Sequence, residues 1–117
     1  MPRIVRISVS TSRGRSSASC SISVDPDPVP LAGIGHGNGA RIHWDIVTPG
    51  WKFVATASTN GIAIANHGTK FTNKGDSNGG RRFTWQRDEV DEKTYQYTIR
   101  ITDGTTMVAW DPSIVNS

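Results

Sequence analysis

Tyr95-Gln96-Tyr97-Thr98-Ile99-Arg100-Ile101 alternates large apolar and polar side chains without a break. A period of two sends successive side chains to opposite faces of a strand, so this stretch predicts a strand with one buried face. The same period recurs on both sides of it. Upstream lie Ile42-x-Trp44-x-Ile46, Trp51-x-Phe53 and Phe83-x-Trp85, and downstream lies Val108-x-Trp110. All 4 tryptophans fall in this series, so the aromatic content is committed to one core, with Trp51 alone in doubt.

The rest of the chain reads the same way. Val5, Ile7 and Val9 share one face of a first strand over Ile4 to Ser10, with Arg6 and Ser8 on the other. Thr11 to Ser19 is polar and serine-rich, and predicts a mobile loop. Cys20, Ile22 and Val24 resume the alternation until Asp25-Pro26-Asp27-Pro28, where prolines favour an extended edge without ladder donors. Gly33 to Gly39 predicts a flexible spacer, Thr48-Pro49-Gly50 a tight turn, and Asn73 to Gly80 a second polar loop. Asn60-Gly61 and Asp103-Gly104 are hairpin signals. No window of about 11 residues carries a helical period. Strands spaced by about 8–12 residues imply an all-β fold. The expectation is a single antiparallel, immunoglobulin-like β-sandwich of about seven to nine strands spanning residues 1–117, with a closed β-barrel as the alternative.

Composition removes several functional classes. A chain of 117 residues is long enough for one core. Cys20 is the only cysteine, which excludes an intramolecular disulfide and a paired-thiolate zinc site. No apolar run has signal-peptide or membrane-spanning length, so a cytoplasmic protein without membrane association is expected. The net charge of +3 comes from 13 basic residues scattered among 10 acidic ones. Only Arg13/Arg15 and Arg81-Arg82 are close, so nucleic-acid binding has charge but no motif behind it.

Residue chemistry points to no catalytic site and no cofactor. His36 and His67 sit in loops, and His43 alternates with Trp44 and should face solvent. Copper-binding sandwiches need a cysteine and a histidine close together near the C-terminus, whereas Cys20 lies near the start. The run Asp88, Glu89, Asp91, Glu92 lacks the ligand series of a calcium loop and reads as a solvated turn. Asp111 before Pro112 is suited to accept from backbone N–H groups just ahead and set a turn. No nucleophile elbow or Walker segment occurs. The glycines at 33–39 lead into a strand and not a helix, so they form no phosphate cradle. Trp51, after Pro49-Gly50, is the tryptophan best placed for exposure.

The order Ile42/Trp44/Ile46, Trp51/Phe53, Phe83/Trp85, Tyr95/Tyr97/Ile99 and Asp111/Pro112/Ile114/Asn116 resembles small bacterial β-sandwich domains of unassigned function that end in Asp-Pro-x-Ile-x-Asn. That resemblance covers about two thirds of the chain and implies a fold, no activity and no catalytic residue. The expected function is a non-enzymatic binding or interaction module for a protein or glycan partner. A homodimer through the first strand as a sheet edge is one form of it. Trp51 is the ligand-binding candidate for a carbohydrate, and Arg81 and Arg82, with Arg13 and Arg15, are the candidates for a polyanion.

Overall fold

The computed structural model describes residues 3–13, 18–37, 40–54 and 61–117. Among them are eleven strands and no helix. In chain order they are β1 (Arg3–Arg13), β2 (Ala18–Asp25), β3 (Val29–Pro30), β4 (Arg41–Ile46), β5 (Lys52–Phe53) and β6 (Ile62–Ile64). Then follow β7 (Phe71–Ser77), β8 (Arg82–Arg87), β9 (Lys93–Thr102), β10 (Met107–Trp110) and β11 (Ser113–Asn116). One sheet has the order β2-β1-β4-β8-β7, and the other β10-β9-β11-β3, with β5 and β6 also paired to β9. The two stack as a β-sandwich, and no barrel closes.

The sheets are mixed, where a purely antiparallel pair was expected. β1 runs parallel to β4, and β3 parallel to β11. Neither pair is consecutive in sequence, and a chain that leaves one sheet and returns from the other is free to come back in either direction. Strand count also exceeds expectation because several elements are only two or three residues long.

The alternating residues build the core. Val5, Ile7, Ile42, Trp44, Phe71, Phe83 and Trp85 from the first sheet are buried, as are Phe53, Ile62, Ile64, Tyr95, Tyr97, Ile99, Ile101 and Ile114 from the second. Aromatic pairs join the sheets: Trp44 to Tyr97 at 5.3 Å between ring centroids, Phe53 to Phe83 at 5.6 Å and Phe71 to Tyr95 at 5.4 Å. The tilted and edge-on geometries are those that ring quadrupoles favour. Trp44 Nε1 donates to the Tyr97 hydroxyl at 3.1 Å and Trp85 Nε1 to the Ile62 carbonyl at 3.0 Å, so both buried indoles are satisfied.

Long β9 organises the second sheet. On one side β10 pairs with its C-terminal half and β11 with its N-terminal half, so they form one strand path broken at Asp111-Pro112. On the other side β5 and β6 do the same: Lys52 and Phe53 face Thr102 and Ile101, and Ile62 to Ile64 face Ile99 to Tyr97. The hairpin expected at Asn60-Gly61 is therefore absent. β5 and β6 run in the same direction, and Asn60 itself lies outside the described residues. Val54 N–H donates to the Arg100 carbonyl and Arg100 N–H to the Gly61 carbonyl, which closes the ladder across the break. The Asp103-Gly104 turn does join β9 to β10 as a hairpin, with Asp103 Oδ1 accepting from the N–H groups of Thr105 and Thr106.

Both polar loops are shorter than expected. Residues 11–13 and 18–19 belong to β1 and β2, which pair in one unbroken register from Arg6↔Asp25 to Arg13↔Ala18. What is left of the serine-rich loop, 14–17, lies outside the described residues, as do 38–39 of the glycine spacer. Asn73 to Ser77 lie in β7, which a bulge between Thr72 and Gly75 keeps in pairing with β8. Polar composition hid these strands because their backbone ladder does not depend on a buried face. Among the described residues no helix is long and apolar enough to cross a membrane.

Candidate interaction surface

The first strand is not an edge. β1 lies between β2 and β4, so β2 is the outer strand of its sheet. On this side of the sandwich β2 packs beside β10, the outer strand of the other sheet. Val9, Ile22, Val24 and Val108 pack there against the core while staying partly exposed. Trp110 pairs with Ile99, and so points to the core side of its sheet, yet it is 50% exposed. Met107, on the outer face of β10, is 61% exposed.

Trp110, expected in the core, is thus the exposed tryptophan, and Trp51, the one in doubt, is buried. Trp51, expected to offer a ring to a ligand, is 6% exposed, which leaves no free face for stacking. It sits where the chain crosses from β4 to β5. Arg81 clamps that crossing by donating to the carbonyls of Ile46 at 2.7 Å, Trp51 at 3.0 Å and Thr48 at 3.2 Å. A shallow cavity of about 330 Å³ is lined there by Gly50, Trp51, Lys52, Gly79, Arg81 and Asp103.

Arg82 belongs to a different face. Its Nε and Nη2 grip Asp45 at 2.6 and 2.9 Å, a two-pronged pair that holds the guanidinium in the charged form. The register continues this pattern across the first sheet, with Asp25 beside Arg6, Arg6 beside Asp45, and Asp45 beside Arg82. Alternating signs side by side leave this face without a single-sign field. The structure does not bring Trp51, Arg81 and Arg82 into one site.

His43 lies on the same outer face, as its alternation with Trp44 indicated. Its Nδ1 is 2.8 Å from Thr84 Oγ1. Partial burial, reinforced by the nearby Arg82 charge, lowers its pKa below the usual imidazole value. An open cleft of about 360 Å³ is lined by Arg41, His43, Asp76, Ser77, Arg82 and Thr84. His67 Nδ1 meets the Gly68 carbonyl at 2.9 Å, and its ring rests 5.1 Å from that of Trp85. Among the described residues no three His, Cys, Asp or Glu side chains converge as metal ligands would.

The acidic run is knitted into the fold and is not a free turn. Asp88 accepts from Thr72 and Gln86, and these bonds lower its pKa. Glu89 pairs with Lys70 at 2.6 Å, which likewise lowers its pKa. Asp91 accepts from Tyr95, the Lys93 N–H and Asn116; burial pushes its pKa up, but these bonds outweigh it.

The closing segment clasps the same region. Ile114 is fully buried, as its place in the pattern implied. Asn116, also fully buried, donates to the Glu89 carbonyl at 3.1 Å and to Asp91 at 2.9 Å, and accepts from Arg87 at 3.2 Å. Asp111 does not cap the turn ahead of it: its Oδ1 accepts from Thr98 Oγ1 at 2.7 Å, while the Ser113 N–H goes to Asp27. Arg87 and the exposed Trp110 are the two residues the sequence reading missed. Arg87 had a signal, since it follows Phe83 and Trp85 in the same parity and so points inward.

No protein-family model matches this chain, and no curated protein sequence matches it.

Proposed function

We propose that this chain is a non-enzymatic binding module, acting in the cytoplasm, that engages a protein partner along the side formed by β2 and β10. The observation that supports this is Trp110, core-facing by register yet half exposed, beside an unpaired sheet edge. Tryptophan combines a large apolar area with few side-chain torsions to freeze, and dominates many interfaces for that reason. An open edge offers backbone donors and acceptors to an added strand, with side-chain pockets supplying selectivity. The lone cysteine fits a reducing compartment. Affinity capture from the native host with paired baits tests this reading. A partner held by the wild type and lost by Trp110→Ala is expected. Identical captured sets from the two baits would overturn it.

Carbohydrate binding is the second reading, now carried by Trp110 and not Trp51, because Trp110 is the exposed ring and Asp111 lies next to it. Trp44, Trp51 and Trp85 are buried, so a sugar stacking on Trp110 would change the solvent-sensitive part of the emission. Unchanged tryptophan fluorescence across a broad glycan panel would sink that alternative. Nucleic-acid binding has the least support, since Arg81 and Arg82 are already engaged within the chain.

A further inference from the structure

The strand β2 differs from every other edge among the described residues. Sheet edges invite pairing with other chains, and proteins blunt them with short length, bulges, prolines or lysines. β7 carries a bulge and Lys74. β3 is two residues long and ends in Pro30, β5 and β6 have two and three residues, and β10 has four before Asp111-Pro112 stops it. β2 has eight residues in continuous register, with no Lys, Arg, Pro or Gly.

Its inner partner is also incompletely supported. β4 pairs with β1 only as far as Ile7, whereas β2 follows β1 to Arg13. From Ser8↔Ser23 to Arg13↔Ala18 the two strands therefore form a ribbon without a third strand among the described residues, roughly 20 Å long at about 3.3 Å per residue. A molecule of 48 × 24 × 24 Å accords with such an arm. Two-stranded ribbons are marginal in water, and three or more strands are needed for independent stability.

We propose that β2 pairs antiparallel with β2 of a second copy of this chain, joining two five-stranded sheets into one. The proposal rests on the reading of this side as an interaction surface, and names the partner. β2 is complementary to itself. About a two-fold axis at Ile22, Ser21 meets Ser23 of the second copy, and the partly exposed Ile22 and Val24 stay on the core side with their counterparts. Asp25, the strand's one charge, falls away from its own copy, so no like charges oppose. Pairing would give each two-stranded arm a third strand, because its residues 18–20 would lie beside the end of the second copy's β2 that β1 and β4 already back.

Sedimentation equilibrium of the whole chain tests this, with Ser21→Lys/Ser23→Lys as the variant. Both serines are exposed, so the lysines would meet solvent in the monomer and each other in the dimer. A dimeric wild type and a monomeric variant with unchanged circular dichroism and thermal midpoint are expected. Amide exchange in β2 of the wild type should also slow as concentration rises, a readout that needs no variant. A wild type that stays monomeric to millimolar concentration overturns the proposal, as does a variant that remains dimeric. Neither failure touches the Trp110→Ala capture result, so the surface and its named partner stand or fall separately.

Discussion

Arg87 takes a cation into the core because β8 leaves it no other direction. Phe83, Trp85 and Arg87 share a parity, and Arg87 is only 2% exposed. Its guanidinium is met by the Gly35 carbonyl at 2.8 Å, Asn116 Oδ1 at 3.2 Å and the Ser117 carbonyl at 2.7 Å. Burial lowers its pKa, and the nearby Arg3 adds to this, yet a guanidinium keeps its proton. Hydrogen bonds to a charged group each contribute about 1.5–3 kcal/mol, and among these three acceptors Asn116 is fully buried and would be left without this donor. Arg87→Met is therefore expected to lose about 3 kcal/mol or more, read as a fall in urea midpoint at unchanged slope. Arg87→Lys should recover little, because one ammonium cannot spread its donors as the planar fork does. A methionine variant as stable as wild type would show that the three bonds add nothing net. The tryptophans teach a related lesson at this scale. Period alone gave Trp110 its correct face, but whether the opposite sheet reaches over it depends on how far β2 and β1 extend, which no local pattern encodes. Trp51 is covered through the crossing that Arg81 clamps, a contact made across thirty positions of sequence.

At the scale of elements, the alternating strands were legible and the breaks in them were not. β4, β8 and β9 follow from the period of two because each buries one face, with Gln86 near the end of β8 as the exception. The two broken paths beside β9 depend on close approaches that composition does not announce. Gly61 is the clearest. A Cβ built there would lie 2.6 Å from Phe53 Cβ and 2.9 Å from its Cδ1, so β6 can re-enter the ladder against β5 only with glycine at this position. Its φ is not positive, so the demand is for space and not for a left-handed backbone. Gly61→Ala should cost about 1–3 kcal/mol through overpacking. Phe53→Gly loses core packing, but it removes both the Cβ and the ring, so in the double variant the alanine at 61 meets neither, whereas Phe53→Ala would keep the Cβ 2.6 Å away. A cycle of the two changes should thus give a coupling well outside additivity. Additive effects would mean the contact is relieved by a backbone shift. Asn60-Gly61 has the form of a turn signal, but the glycine matters because of what it packs against.

For the whole molecule, the ionisable groups define a stability window in pH with a different cause at each end. Asp88, Glu89, Asp91 and Asp103 all have lowered folded pKa values. Their unfolded forms bind protons first as pH falls below about 4, so the contribution is full above that range and is lost as pH drops through the folded values. His43 acts in the same direction earlier. Burial and Arg82 keep it neutral when the unfolded imidazole, at 6.5, would already be charging, so stability declines as pH falls below that value. Asp45 opposes this shift and Arg41 supports it. At the alkaline end the two tyrosines take over. The hydrogen bond to Asp91, with burial, pushes Tyr95 up to about 12, and burial raises Tyr97 as well. A raised folded value means the stabilisation is complete below the unfolded pKa of 10 and is lost as pH climbs through the folded one. Tyrosinate absorbance should therefore stay low past pH 10 and rise together with loss of circular dichroism, in a single alkaline unfolding step. Tyr95→Phe removes one alkaline term and should shift that step upward relative to its own neutral-pH stability. Tyrosinate appearing near 10 while the circular dichroism remains native would show that Tyr95 is not held by Asp91, and the clasp joining the acidic run, β9 and β11 would lose its central bond.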